Sequence, residues 1–139
     1  MSYAGDITPQ QAWALLNDHP DAVLVDVRTD AEWRFVGVPD LSGVGRSVVF
    51  LEWNTTDGRH NEDFADQLRE RVAPATDPAR PVIFLCRSGQ RSIGAAETAT
   101  RIGIAPAYNV LDGFEGHLDA HGHRGETGWR AAGLPWRQQ

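Results

Sequence analysis

Cys86 is the one cysteine of a 139-residue chain. It stands in the segment Cys86-Arg87-Ser88-Gly89-Gln90-Arg91-Ser92, directly after the apolar run Val82-Ile83-Phe84-Leu85. A sulfur at the end of a strand, followed by a short basic loop and then a helix, is a place where backbone amides and the positive helix end can converge on a thiolate. Helix N-termini and neighbouring Arg residues both favour the thiolate, which is the nucleophilic form. Gly89 suits a loop that needs a positive φ or a close backbone approach. The plainer reading, a buried small hydrophobe beside two solvated Arg residues, leaves the basic flanks and the small polar residues between them unexplained. One cysteine also forbids an internal disulfide or a zinc site with two thiolates, and it supplies no internal resolving thiol.

Composition narrows the chemistry further. The formal net charge is −6 and all thirteen basic residues are Arg. The absence of Lys removes Schiff-base chemistry and the Walker-type phosphate lysine. An acidic balance argues against nucleic acid or an anionic membrane surface as the main partner, while leaving small anions to a locally positive site. With 41% hydrophobic and 23% charged residues, the chain reads as one globular domain over residues 1–139. It has no apolar run long enough to span a bilayer. The opening Met1-Ser2-Tyr3-Ala4-Gly5-Asp6 lacks the basic flank and apolar stretch of a signal peptide, so a cytoplasmic location is expected.

The elements that would position Cys86 follow from pattern. Thr8-Pro9-Gln10-Gln11 starts a helix, with a capping hydroxyl and Pro at the first helical position, ending near Asp18-His19-Pro20. Ala22 to Val27 reads as a strand covered on both faces, with Asp26 and Arg28 at its end. Thr29 to Phe35 suggests a short helix stopped by Gly37 and Pro39. Ser47 to Leu51 is a second buried-strand candidate. Asn61 to Val72 is an amphipathic helix with Phe64, Ala65, Leu68 and Val72 on one face. A Pro-rich connection from Pro74 to Pro81 leads into the strand Val82 to Cys86. Ser92 to Ile102 is a helix closed by Gly103, and Tyr108 to Leu111 a final strand. Short apolar strands alternating with helices imply right-handed crossovers, hence an α/β fold with a parallel sheet and helices on both faces. Ligands then bind outside the carboxyl ends of the strands, where Cys86 lies. The chain from Gly113 onward has few periodic apolar residues; residues 117–139 read as a surface-wrapping tail anchored by Leu134 and Trp136.

Asp26-Val27-Arg28 followed by Glu32-Trp33, together with Phe84-Leu85-Cys86-Arg87-Ser88-Gly89-Gln90-Arg91-Ser92, resembles the rhodanese superfamily over roughly Thr8 to Gly116. The resemblance implies a five-stranded parallel sheet flanked by helices and Cys86 as the nucleophile that forms a persulfide. It also implies that the amides of Arg87, Ser88, Gly89, Gln90, Arg91 and Ser92 hold the sulfur. The Cys-Arg-x-Gly-x-Arg loop is similar to that of thiosulfate sulfurtransferases, so thiosulfate or a persulfide is the expected donor. The acceptor is an external thiol, cyanide or a thioredoxin-like protein. No cofactor and no resident metal are called for. Two departures stand out. Gly37-Val38-Pro39 replaces the family's Gly-His-Ile-Pro, and Gly113-Phe114-Glu115-Gly116-His117 alters its later Gly-Gly and Trp pattern.

Two other functions are weighed against this one. Cysteine phosphatases and arsenate reductases place Arg six residues after the cysteine; here Arg91 is fifth and the sixth is Ser92, and Leu85 precedes the cysteine where His is frequent. Non-catalytic rhodanese-like interaction modules usually lack the cysteine that this chain retains. Arg87 and Arg91, the only cations of the loop, are expected to anchor an anionic donor. Arg28 and Glu32 have the spacing of a helical ion pair if the chain is already helical at Arg28. Asp26 is read as structural, with an orienting hydrogen bond to the active loop as its functional alternative. His117, His121 and His123 form a loose cluster without the carboxylate or thiolate that would complete a tetrahedral metal site. Trp13, Trp33, Trp53, Trp129 and Trp136 are core or anchoring aromatics.

Overall fold

A computed structural model describes residues 3–72 and 80–138. Residues 74–79 of the Pro-rich connection lie outside the described residues. Five parallel strands form the main sheet: β1 (Gly5–Ile7), β2 (Val23–Asp26), β4 (Val49–Phe50), β5 (Val82–Leu85) and β6 (Ala107–Val110), in the order β1-β6-β5-β2-β4. β5, which ends immediately before Cys86, is therefore the central strand. Its near-continuous apolar sequence follows from burial on both faces. Val82, Phe84 and Cys86 join Val25, Phe64, Leu68, Ala95 and Ala99 on one side of the sheet. Ile83 and Leu85 join Leu24, Ala12, Leu16, Val110, Phe114 and Trp129 on the other.

Three of the four helices among the described residues, all but the second, supply those two faces. α1 (Pro9–Asp18) opens on a capping box, with the Gln11 amide donating to the Thr8 hydroxyl and the Gln11 side chain accepting from the Thr8 amide. Two donors at the helix start are thereby satisfied. α2 (Asp30–Phe35) repeats the device with Thr29 and Glu32. α3 (Phe64–Arg71) buries Phe64 and Leu68, and α4 (Arg91–Arg101) buries Ser92, Ala95, Ala96, Thr98 and Ala99. Among the described residues no helix is long and apolar enough to cross a membrane.

Three features depart from the sequence reading. The expected buried strand over Ser47 to Leu51 contracts to β4, whose two residues are only half-buried; it lies at the sheet edge and pairs with β2 alone. β1 was not anticipated, because Gly5-Asp6-Ile7 carries no apolar run; it is specified by its pairing with β6, in which Asp6 lies beside Asn109. The C-terminal segment does more than wrap the surface. Trp129 is wholly buried, donating its indole N–H to the Pro135 carbonyl at 2.8 Å and meeting Trp13 edge-on. Trp129 therefore replaces Trp136 as the principal anchor, since Trp136 is 40% exposed. β7 (Trp136–Arg137) pairs antiparallel with β3 (Val38–Pro39) in a small separate ribbon, and Trp136 packs edge-on against Phe114. Leu134 packs, partly buried, against the same core.

Candidate active site

Cys86 sits one residue beyond the central strand, 1% exposed, at the mouth of the loop into α4. The Gly89 amide donates to its Sγ at 3.1 Å, and the Ser92 hydroxyl lies 3.1 Å from the same sulfur. The cradle of several amides expected over Arg87 to Ser92 thus resolves, among the described residues, into one amide and one hydroxyl. Gly89 has φ +96°, and a Cβ there would stand 3.1 Å from the Asp112 nitrogen and 3.2 Å from the Val110 carbonyl. Both the positive φ and the close approach that the sequence suggested are present. Ser88 is half-buried and Gln90 exposed.

The turn after β6 closes over this loop. The Phe114 amide donates to the Cys86 carbonyl at 2.8 Å and the Glu115 amide to the Arg87 carbonyl at 3.0 Å. Gly113 (φ +57°) permits that contact, since a Cβ on it would fall 2.3 Å from the Cys86 carbonyl oxygen. These contacts fix the position of Cys86 from a part of the chain that the motif itself does not include.

Both loop cations are matched by carboxylates. Arg91 makes a bidentate contact with Glu32, Nη1 to Oε1 at 2.8 Å and Nη2 to Oε2 at 3.0 Å. Arg87 reaches Glu115 at 3.3 Å from a half-exposed position. The expected ion pair between Arg28 and Glu32 does not form. Arg28 lies in a bend before the Thr29 cap of α2, so the helical spacing that would bring the two together is absent. It turns back instead on Asp26, with Nε to Oδ1 at 3.0 Å and Nη2 to Oδ2 at 2.7 Å, and donates from Nη2 to the Gly37 carbonyl at 2.8 Å. Both side chains are wholly buried, and the guanidinium lies over the Phe114 ring, 4.2 Å from its centroid. Among the described residues the hydrogen bonds of the Asp26 carboxylate go to Arg28, and none reaches the active loop.

Burial by itself would push the Glu32 carboxyl up. The Arg91 guanidinium and the Thr29 cap outweigh it and hold Glu32 below the ordinary carboxylate range, while Arg91 is correspondingly raised. A carboxyl that is more acidic folded than unfolded adds stability above its unfolded pKa of about 4.3, and that stability is lost as pH falls through the folded value. Denaturant unfolding between neutral pH and pH about 3 should therefore show a decline in stability that is shallower in Glu32→Gln. Parallel pH profiles for the two proteins would refute the linkage.

Asn109 was missed. It is 1% exposed, and its Nδ2 donates to the Gly89 carbonyl at 3.2 Å and to Asp6 Oδ1 at 3.0 Å. Its Oδ1 hydrogen-bonds the Ser92 hydroxyl. A lone polar residue in the run Ala107-Tyr108-Asn109-Val110 was the available signal, because a buried amide must find partners. The histidines do not converge. His117 Nδ1 lies 3.1 Å from Asp112 Oδ1 and 3.0 Å from Thr127 Oγ1, whereas His121 and His123 give only their backbone amides to Asp119. Among the described residues no group of three or more His, Cys, Asp or Glu is placed to hold a metal ion.

The family described as STR4 middle domain matches residues 4–139. The crystal structure of Rv0390 from M. tuberculosis is similar, with a TM-score of 0.92 at 71% identity, covering 99% of this chain and 100% of that one. Uncharacterized protein RC0915 of Rickettsia conorii is 39% identical over 133 residues, 95% of this chain and 96% of that protein. Thiosulfate sulfurtransferase GlpE of Glaesserella parasuis is 31% identical over 111 residues, 80% of this chain and 83% of its own length.

Proposed function

The chain belongs to the rhodanese superfamily, and from that premise we propose that it is a sulfurtransferase in which Cys86 carries a sulfane sulfur as a persulfide. The observation that carries this reading is the setting of the chain's single thiol. It lies at the carboxyl end of the central strand, with the Gly89 amide and the Ser92 hydroxyl each 3.1 Å from its sulfur.

Thiosulfate is the preferred donor for a first test. The Cys86 thiolate attacks the outer sulfur, the S–S bond of thiosulfate breaks, and the bonding pair leaves with sulfite. The outer sulfur remains on Cys86 as a persulfide anion, which the Gly89 amide and the neighbouring loop are placed to receive. A second nucleophile then attacks the terminal sulfur and returns the thiolate. Since the chain has one cysteine, that nucleophile comes from outside: cyanide in an assay, or a small thiol or thioredoxin-like protein. The geometry gives no support to phosphatase or arsenate-reductase chemistry. Arg91 spends its fork on Glu32, and the sixth position is a hydroxyl directed at the sulfur and Asn109 rather than a guanidinium for an oxyanion.

Intact-mass measurement after thiosulfate treatment should show a gain of one sulfur atom, reversed by cyanide or dithiothreitol and absent in Cys86→Ser. An unchanged mass in freshly reduced, folded protein would overturn the proposal.

A further inference from the structure

The hydrogens between β6 and Cys86 can be counted. Asn109 Nδ2 faces two groups that only accept, the Gly89 carbonyl and the Asp6 carboxylate. The reversed amide would set an oxygen against both, so the amide nitrogen belongs there and Oδ1 faces Ser92. Asp6 also accepts from the Tyr3 hydroxyl at 2.6 Å. That hydrogen bond, with burial and the carboxylate charge adding to it, pushes Tyr3 up to about 12. Tyr3 therefore stays a donor over the working pH range. Ser92 Oγ lies between two neighbours, Asn109 Oδ1 and Cys86 Sγ, and has a single hydrogen to give. Asn109 Oδ1 has no hydrogen of its own, so the contact with Ser92 exists only if Ser92 supplies one. What Ser92 then turns toward the sulfur is a lone pair.

We propose that Asn109 is a positioning residue that holds Cys86 as a hydrogen-bond donor in the resting protein, by taking the one hydroxyl hydrogen of Ser92. The Cys86 S–H gives its proton to Ser92 Oγ, Ser92 gives its own to Asn109, and Asn109 is locked by Asp6 and Gly89. When Cys86 loses its proton to solvent, Ser92 has two options. It can keep Asn109 and set its lone pair against the new anion. Or it can rotate to donate to the sulfur, which leaves the buried Asn109 carbonyl without a donor. Each option opposes ionisation, while the Gly89 amide favours it. The other charged groups around the sulfur are matched in pairs: Arg91 with Glu32 of α2, Arg28 with Asp26 at the end of β2, and Arg87 with Glu115 after β6. From α3, Phe64 and Leu68 pack in the cluster that contains Cys86. The device restrains the thiol until a donor enters. Once a persulfide forms, Sγ carries neither proton nor charge, and Ser92 can keep Asn109 without conflict.

The inference rests on Cys86 being the sulfur carrier, but its test uses no sulfur donor. The rate of alkylation by iodoacetamide is measured against pH in the unsubstituted protein, Asn109→Leu, Ser92→Ala and the double variant. Leu keeps the branching of Asn at Cγ, with a larger side chain, and lacks the carbonyl. Asn109→Leu should react about tenfold faster near neutral pH, its profile moving about one unit toward acid. In the Ser92→Ala background the same change should have no effect. An unchanged profile in folded Asn109→Leu, or an equal gain without Ser92, would overturn the proposal. The infrared S–H stretch of the single thiol decides the matter in the unsubstituted chain, whether or not the variants fold. Under acidic conditions it should be displaced to the low frequency of a bonded thiol and return to the unbonded value in Ser92→Ala. An unbonded frequency in the unsubstituted protein sinks the idea. A protein that forms no persulfide yet shows the displaced band would refute the proposed function and leave the hydrogen-bond assignment standing.

Discussion

Arg28→Met should remove about 3–5 kcal/mol of folding stability, because it strands a wholly buried Asp26 carboxylate without its cation. The loss is larger than the side chain's burial alone would suggest. Asp26 accepts three hydrogen bonds from the Arg28 guanidinium and one from the Arg28 amide, and only the last survives the substitution. Nη1 of Arg28 has no hydrogen-bond partner among the described residues; the face of Phe114, 4.2 Å from the guanidinium carbon, is what the cation meets there. Met restores most of the packing on that ring, so the measured loss reports the orphaned carboxylate together with the Gly37 carbonyl that loses its Nη2 donor. Denaturant unfolding is the test, and adding Asp26→Asn should recover much of the loss, as replacing both partners of a buried pair generally does. A single-variant loss below about 1 kcal/mol would mean that the substitution does not strand a buried charge.

The second large effect concerns donor choice. From sequence, Arg87 and Arg91 were both expected to anchor an anion. In the structure Arg91 is held bidentately by Glu32, whereas Arg87 is half-exposed and touches Glu115 at a longer distance. Arg91→Ala breaks the tie between α2 and the start of α4 and leaves Glu32 without its cation. It should lower kcat/KM about ten- to hundredfold for thiosulfate and for a neutral organic trisulfide alike. Arg87→Ala should slow thiosulfate and spare the trisulfide, since a rim cation acts on the charge of what approaches. If Arg91→Ala spares the neutral donor, its guanidinium serves the anion and the division of roles is wrong.

How far the sequence could be read depended on the kind of information each residue carries. The run Val82 to Leu85, buried on both faces, and the Thr8 and Thr29 capping boxes are local signals, and they mark elements the structure contains. Cys86, Gly89 and the adjoining helix start were legible for the same reason: the loop motif is contiguous. Arg28 was misassigned because a spacing of four residues means proximity only inside a helix, and the helix begins two residues later. Asn109 carried only the signal of a lone polar residue in an apolar strand and Asp6 none, since their relation to Ser92 exists only across elements distant in sequence. The register that sets Phe84 beside Asn109 and Asp6 beside Asn109 lines them up with the face that carries Cys86. Glu115 and Gly113 touch the loop through a turn that follows β6, and Trp129 reaches the core from a segment whose Gly-rich neighbours hide one deep anchor among exposed residues.

That anchor has a bearing on how the chain matures on the ribosome. Translation delivers Cys86 well before it delivers Trp129, and the β3–β7 ribbon cannot zip until Trp136 and Arg137 have emerged. For the interval between, β5 and its basic loop exist without the indole that fills the opposite face of the sheet and without the clasp beside Gly37. The nascent protein thus has the cluster around its thiol synthesised by Ala107, while the opposite face of the sheet stays open until Trp129 arrives. A chain cut short ahead of Trp129 is left with exposed apolar surface of the kind that chaperones and proteases recognise.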